Sequence, residues 1–326
     1  MYNKEMEKIY KILETKNVFK LILGLGNKSI EEIKKIAAIY ANTEVDIFDI
    51  APDENILKAL ITGIESQGKD INDYVICASY PVGDDKHGKK AFVDEKKCTG
   101  CKKCLKMCPY NAICFEKKAK IDPSKCIGCG KCKCSAIKYI DTKIDICDSI
   151  KTLSLLGVSL IELHISTTKT KIVLDTFGKL KKEFPSIPIG VCLSREKFSD
   201  TKLKNLLARL KEINGQEKLI IQADGLSMNG GENTFSSTLQ AISTAQILQP
   251  LGNYILVSGG TNEKTSDLAS LCEVEIQGVS IGSYGRLLIK DEVNNPDFWY
   301  NKSIFDSAVE KAKSLVSSVK NYERND

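Results

Sequence analysis

The chain has 326 residues, of which 42% are hydrophobic and 27% charged, a mixture that folds into a globular protein and excludes a disordered one. No apolar run approaches the roughly 18 residues needed to cross a bilayer, and the lysine-studded start lacks the apolar stretch of a secretory leader, so the expectation is a cytoplasmic protein with no membrane span. The net charge is +5, but only four of the 47 basic residues are arginine, a poor fit to nucleic-acid readers that rely on bidentate Arg.

In chain order, residues 3–16 predict an amphipathic helix and Leu21-Ile22-Leu23-Gly24-Leu25 a buried strand. Ser29 and Glu32 then form a capping box for a helix with Ile30, Ile33, Ala37 and Tyr40 on one face. Strands follow at 45–50 and 74–79, with a helix at 54–66 between them. A cysteine-rich segment interrupts the series after Pro81-Val82-Gly83. Beyond it come helices at 147–156, 170–183, 201–213, 235–248, 263–271 and 303–319, alternating with strands at 159–165, 188–193, 218–223, 254–258 and 277–281. The strands are short runs of Ile, Leu and Val without clean alternation, as in sheets buried on both faces. Eight strands, each followed by a helix, predict a TIM-type (β/α)8 barrel formed by residues 1–83 and 144–326. A doubly wound open sheet is the competing architecture. The barrel is preferred because Gly24-Leu25-Gly26 runs on as Asn27-Lys28-Ser29 without completing a dinucleotide-binding glycine turn.

Nine of the thirteen cysteines fall between Cys98 and Cys134, eight of them in two runs. Without a leader, such clustering indicates metal or redox chemistry rather than a disulfide framework. The first run, Cys98-Thr-Gly-Cys101-Lys-Lys-Cys104-Leu-Lys-Met-Cys108-Pro109, has the C-x2-C-x2-C-x3-C-P spacing of bacterial-type ferredoxins. Zinc is the competing occupant of any C-x2-C pair, but it takes four ligands with a longer gap between pairs. The second run, Cys126-Ile-Gly-Cys129-Gly-Lys-Cys132-Lys-Cys134, is irregular, because Ala136 stands where the fourth cysteine belongs. Aligning Ala112-Ile113 with Ala136-Ile137 shows that four residues are missing. The repeat nevertheless implies a ferredoxin-like domain over 84–143 with two [4Fe–4S] clusters. Cys98, Cys101, Cys104 and Cys134 would hold one, and Cys108, Cys126, Cys129 and Cys132 the other. Cys114, in the apolar stretch Ala112–Phe115, is expected to be a buried core thiol. Residues 84–143 also carry 16 lysines against 7 acids.

Polar residues gather at the strand ends. Alternation turns Glu162 and His164 of the fourth barrel strand inward, and Gln222 and Asp224 share one side of the sixth. Asp49 ends the second strand, and Cys192 and Ser194 the fifth. These groups read either as a hydrogen-bonded plug or as the lining of a pocket, with Glu162, His164, Gln222 and Asp224 as catalytic candidates. The other histidine, His87, lies in a lysine-rich linker and reads as solvated. Gly259-Gly260 after the seventh strand and Gly285-Arg286 after the eighth stand where barrels grip phosphate, which makes FMN or another phosphate-bearing ligand a candidate.

Five blocks occur in order: the cysteine segment, Leu160-Ile-Glu-Leu-His164, Gln222-Ala-Asp-Gly-Leu-Ser-Met-Asn-Gly230, Ser258-Gly-Gly-Thr-Asn262 and Gly282-Ser-Tyr-Gly-Arg286. This order resembles the light-dependent period (LdpA) family of cyanobacterial iron–sulfur proteins. The resemblance implies redox sensing or electron transfer, with relay of redox state to clock or signalling proteins. The basic cysteine segment adds the expectation of an acidic redox partner and no nucleic acid. The alternative is an oxidoreductase whose clusters feed a flavin or substrate at the barrel mouth.

Overall fold

The computed structural model describes residues 4–24, 29–83, 89–108, 111–122, 125–126, 130–141, 145–225, 234–251 and 253–320. His87, Pro109, Cys129 and residues 226–230 of the Gln222–Gly230 block lie outside the described residues.

The chain opens with α1 (Lys4–Glu14), β1 (Val18–Gly24), α2 (Ile30–Tyr40), β2 (Ile47–Ile50), α3 (Glu54–Glu65) and β3 (Val75–Val82). The cysteine segment contributes β4 (Lys89–Val93), α4 (Lys103–Met107), β5 (Ile113–Phe115), β6 (Ala119–Ile121) and β7 (Ile137–Asp141). Next come α5 (Ile146–Ser154), β8 (Leu160–Ile165), α6 (Thr170–Glu183), β9 (Ile189–Ser194), α7 (Asp200–Asn214) and β10 (Ile220–Asp224). The series ends with α8 (Thr234–Leu248), β11 (Tyr254–Ser258), α9 (Thr265–Leu271), β12 (Gly278–Ile281), α10 (Ser283–Leu288), α11 (Lys290–Asn294) and α12 (Lys302–Lys320).

Eight strands close into one barrel in the order β1-β12-β11-β10-β9-β8-β3-β2. Every pairing in it is parallel. The cysteine segment leaves from the C-terminal end of β3, the face on which such barrels build their sites. The expected (β/α)8 architecture is therefore the observed one, and the open sheet is excluded by closure between β1 and β12.

Local chemistry sets the helix starts. The Ser29 hydroxyl accepts the Glu32 amide at 3.1 Å and opens α2, and Asp53 accepts the amides of Asn55 and Ile56 to open α3, caps that stabilise a helix by about 1 kcal/mol each. Along α2 the buried face is Ile33, Ile36, Ala37 and Tyr40, whereas Ile30, expected on that face, is 49% exposed in the first turn.

Strand alternation separates two cores. Outward residues such as Leu21, Ile161, Leu163, Ile221 and Val257 pack beneath the helices. Inward residues Val18, Ile47, Val75, Leu160, Ile220 and Tyr254 form a second cluster, closed off by Ile9 and Leu13 of α1. The N-terminal end of the barrel is thus plugged by hydrocarbon, and its polar groups lie further along the strands.

Candidate functional site

In the cysteine segment β4 pairs antiparallel with β7 from Lys89↔Asp141 to Val93↔Ile137, and β5 pairs with β6 as a hairpin. Between these ribbons Cys104 and Cys126 are buried, and Cys98, Cys108, Cys132 and Cys134 pack against the same small core. Two amides point at sulfur: Ala91 N–H donates to Cys126 Sγ at 3.4 Å and Ala112 N–H to Cys108 Sγ at 3.4 Å. Cys132 Sγ lies 3.1 Å from the Tyr139 hydroxyl. The Lys103 amide, opening α4, pulls the exposed Cys101 thiol below its usual range. Burial pushes Cys104 up, and the neighbouring Cys134 thiol adds to that shift. Cys134 thus meets Cys104 at the same small core, although 30 residues separate them in the chain. Donor type, N–H groups aimed at sulfur and this convergence suit a thiolate-held iron–sulfur cluster.

The four-residue deletion has a visible consequence. The first repeat carries α4, while the described residues 130–136 of the second form no helix before β7 begins. Cys114 corrects an expectation. It is exposed, with Sγ near the Lys120 carbonyl at 3.7 Å, because alternation along β5 buries Ile113 and turns the next side chain out.

Inside the barrel the polar groups divide into two levels. The lower one centres on Lys20, a fully buried residue of β1 that the sequence reading placed before the first strand. Its ammonium lies 2.8 Å from Asp49 Oδ2, 2.6 Å from Glu162 Oε2 and 3.0 Å from Gln222 Oε1, so all three of its N–H donors are used. Ser79 donates to Asp49 Oδ1 at 2.6 Å, and Gln222 Nε2 donates to Glu162 Oε1 at 3.0 Å. Burial opposes the Lys20 charge, but Asp49, Cys77 and Glu162 outweigh it and hold the ammonium well above the usual lysine range. Burial pushes the Glu162 carboxyl up; Lys20 opposes this and Asp49 adds to it. Glu162 and Gln222 thus belong to a closed internal network.

The upper level contains His164, Cys192 and Asp224, with His164 and Asp224 half-buried. Burial pushes Asp224 up, while His164, the Gly225 amide and the Ser258 hydroxyl pull the other way. The Cys192 thiol, also raised by burial, accepts the Gln222 amide at 3.6 Å. Of the four catalytic candidates, then, two lie in the network and two above it.

The expected phosphate grip falls into two separate places. Gly259 and Gly260 lie against β10 and α8, their carbonyls accepting the Ser237 and Thr238 hydroxyls at 2.9 and 2.5 Å. Gly259 has φ +82°, and a Cβ there would stand 2.6 Å from Asp224 Oδ1, so glycine is what lets that carboxylate in. Gly285 lies against α2 instead: its carbonyl accepts the Tyr40 hydroxyl at 3.0 Å, and a Cβ would meet that oxygen at 2.8 Å. Arg286 donates to the Ile22 carbonyl and to Ser283 Oγ, tying α10 to the end of β1.

Comparison with known proteins follows this division of the chain. A model described as the Light dependent period A C-terminal domain matches residues 152–318, just over half of the chain. The chain belongs to the LdpA family. A 4Fe-4S binding domain model matches residues 91–114, across the first cysteine run, and this LdpA-family chain is an iron–sulfur protein. No curated protein matches it. Among solved structures, it is similar to the YdjI aldolase from Escherichia coli K12, with 7% identity over 98% of this chain and 95% of the other, at TM-score 0.48. A truncated 3-deoxy-D-arabino-heptulosonate 7-phosphate synthase from Thermotoga maritima shares 11% identity over 93% and 85%, also at TM-score 0.48. An aldolase named QR15 shares 13% over 82% and 90%, at TM-score 0.45. Among the described residues, no helix is long and apolar enough to cross a membrane.

Lys20 and Cys77 are the site residues missed from the sequence. The available signal was a lysine flanked by Val18-Phe19 and Leu21-Ile22, an apolar run that continues the strand through it.

Proposed function

We propose that this chain is an electron carrier and redox sensor of the LdpA type, in which residues 84–143 form a ferredoxin-like unit inserted into the barrel and holding two [4Fe–4S] clusters. The observation that carries the reading is the packing of Cys134, together with Cys98, against the small core that buries Cys104, which sets the far end of the shortened second run beside the first. Cys98, Cys101, Cys104 and Cys134 would hold one cluster, and Cys108, Cys126, Cys129 and Cys132 the other. When bound, each cluster supplies a one-electron couple.

The chain's own contribution is to hold the thiolates and stabilise their charge. The amides of Lys103, Ala112 and Ala91 do so at Cys101, Cys108 and Cys126, and the Tyr139 hydroxyl lies against Cys132. Donors to sulfur favour the more negative, reduced form and so raise the potential. The surrounding surface is basic, with 16 lysines against 7 acids in residues 84–143. Two clusters of about −2 each would offset only part of that excess, leaving a face suited to an acidic redox partner rather than to nucleic acid. In this reading the barrel is the platform that presents redox state to a signalling protein, a clock component where the cell has one. The flavin alternative gains little from Gly285 and Arg286, whose polar groups are bonded into the barrel rim.

Substituting Cys134→Ala tests the assignment. The expected result is selective loss of one reduced-cluster EPR signal, with the other retained. Two unchanged signals would mean that a different group completes the first ligand set.

A further inference from the structure

We propose that His164, Cys192 and Asp224 form a binding site for one divalent ion of the zinc type at the mouth of the barrel. This inference stands on the barrel alone and does not depend on the cluster reading.

The three side chains come from consecutive strands, β8, β9 and β10, at the C-terminal face. Their ligating atoms all lie within 4.8 Å of one another. Ligands about 2.0–2.3 Å from a tetrahedral zinc are separated by roughly 3.3–3.8 Å, so small side-chain rotations would close the set. His164 attracts Asp224 electrostatically but forms no hydrogen bond or ion pair with it among the described residues, a spacing that suits an ion between them.

The donor set itself selects the ion. One imidazole nitrogen, one sulfur and one carboxylate oxygen suit zinc, while the thiolate disfavours magnesium and calcium. Three protein ligands with a fourth position open to water is the catalytic rather than the structural pattern. A supporting group orients the sulfur donor, the Gln222 amide on Cys192. Gly259 clears the space that Asp224 Oδ1 occupies.

The lower level supplies an internal contrast. Asp49, Cys77 and Glu162 also bring their ligating atoms within 4.8 Å of one another. There, however, the Lys20 ammonium sits against both carboxylates and is itself the cation. Among the described residues no lysine or arginine pairs with Asp224, so the upper trio has no ammonium in its centre. Carboxylates drawn out of water are paired or coordinate metal, and the two levels would then use the two solutions one above the other.

The test uses the full-length protein, exposed to excess zinc and freed of loose metal by gel filtration. About one zinc per chain is expected, with zinc-edge X-ray absorption giving one sulfur at about 2.3 Å and the remaining neighbours as nitrogen or oxygen at about 2.0–2.1 Å. Cys192→Ser and, separately, the isosteric Asp224→Asn should each remove that zinc while leaving cluster absorbance and the melting temperature in place. Cys77→Ala, in the lower trio, should retain it. Absence of retained zinc would overturn the proposal. So would zinc surrounded by four sulfurs, which would put it on the ferredoxin-type cysteines, or zinc kept in both Cys192→Ser and Asp224→Asn.

Discussion

The barrel buries Phe19, Phe48, Tyr80 and Phe177 almost completely, and even its charged layer carries its own cation, Lys20. Among the described residues of the cysteine segment the buried set is Ala91, Cys104, Ala112, Ile113, Ala119, Cys126, Ala136 and Ile137: four alanines, two isoleucines and two thiols. A core of that size stabilises very little by apolar burial, and small units of this kind depend on disulfides or metal. One chain therefore contains two stability regimes. The barrel stands on hydrocarbon and one internal ion network, and the cysteine segment on whatever its thiolates bind.

The largest effect should come from attacking the ion network. Lys20→Met leaves Asp49 and Glu162 buried without their cation, and removing one partner of a buried ion pair costs about 3–5 kcal/mol. Urea unfolding of the barrel should shift by that amount. A change within about 0.5 kcal/mol would mean that Lys20 is not the cation that closes the layer.

Removing the clusters should affect the other region selectively. After chelation or oxidative cluster loss, amides of residues 91–93 and 137–139 should lose hydrogen-exchange protection, while those of β8 to β11 keep theirs. Equal loss in both regions would remove the distinction between the two regimes.

The smallest effect is a slope with pH. Burial holds the Glu162 carboxyl above its usual range, with Lys20 opposing, so the native state keeps a proton that the unfolded chain releases near about pH 4.3. The unfolded state then binds fewer protons than the native one, and stability falls as pH rises from there through the raised native value. Glu162→Gln should flatten that part of the stability–pH curve, whatever it does to absolute stability. An unchanged slope would assign it to another group.

What could be read in the sequence follows the same division. The eight strands, the insertion after the third and the first cysteine run were legible because each is a local pattern: apolar runs, a capping box, a fixed spacing. Lys20 was not, because a lysine at the edge of an apolar run reads as a strand boundary, and only barrel closure brings Asp49, Glu162 and Gln222 around it. Cys114 was misread because apolar neighbours suggested burial, whereas a three-residue strand alternates and turns it out. Gly259 was recognised as special without its cause, since the Asp224 carboxylate that excludes a side chain there belongs to the neighbouring strand.

Iron and acid-labile sulfide, counted in anaerobically purified protein together with EPR of the reduced form, decide whether the shortened ferredoxin-type repeat holds two clusters. About eight irons and eight sulfides per chain and two interacting cluster signals are expected. About four irons with a single signal, or zinc in their place at the cysteine runs, would contradict the two-cluster assignment.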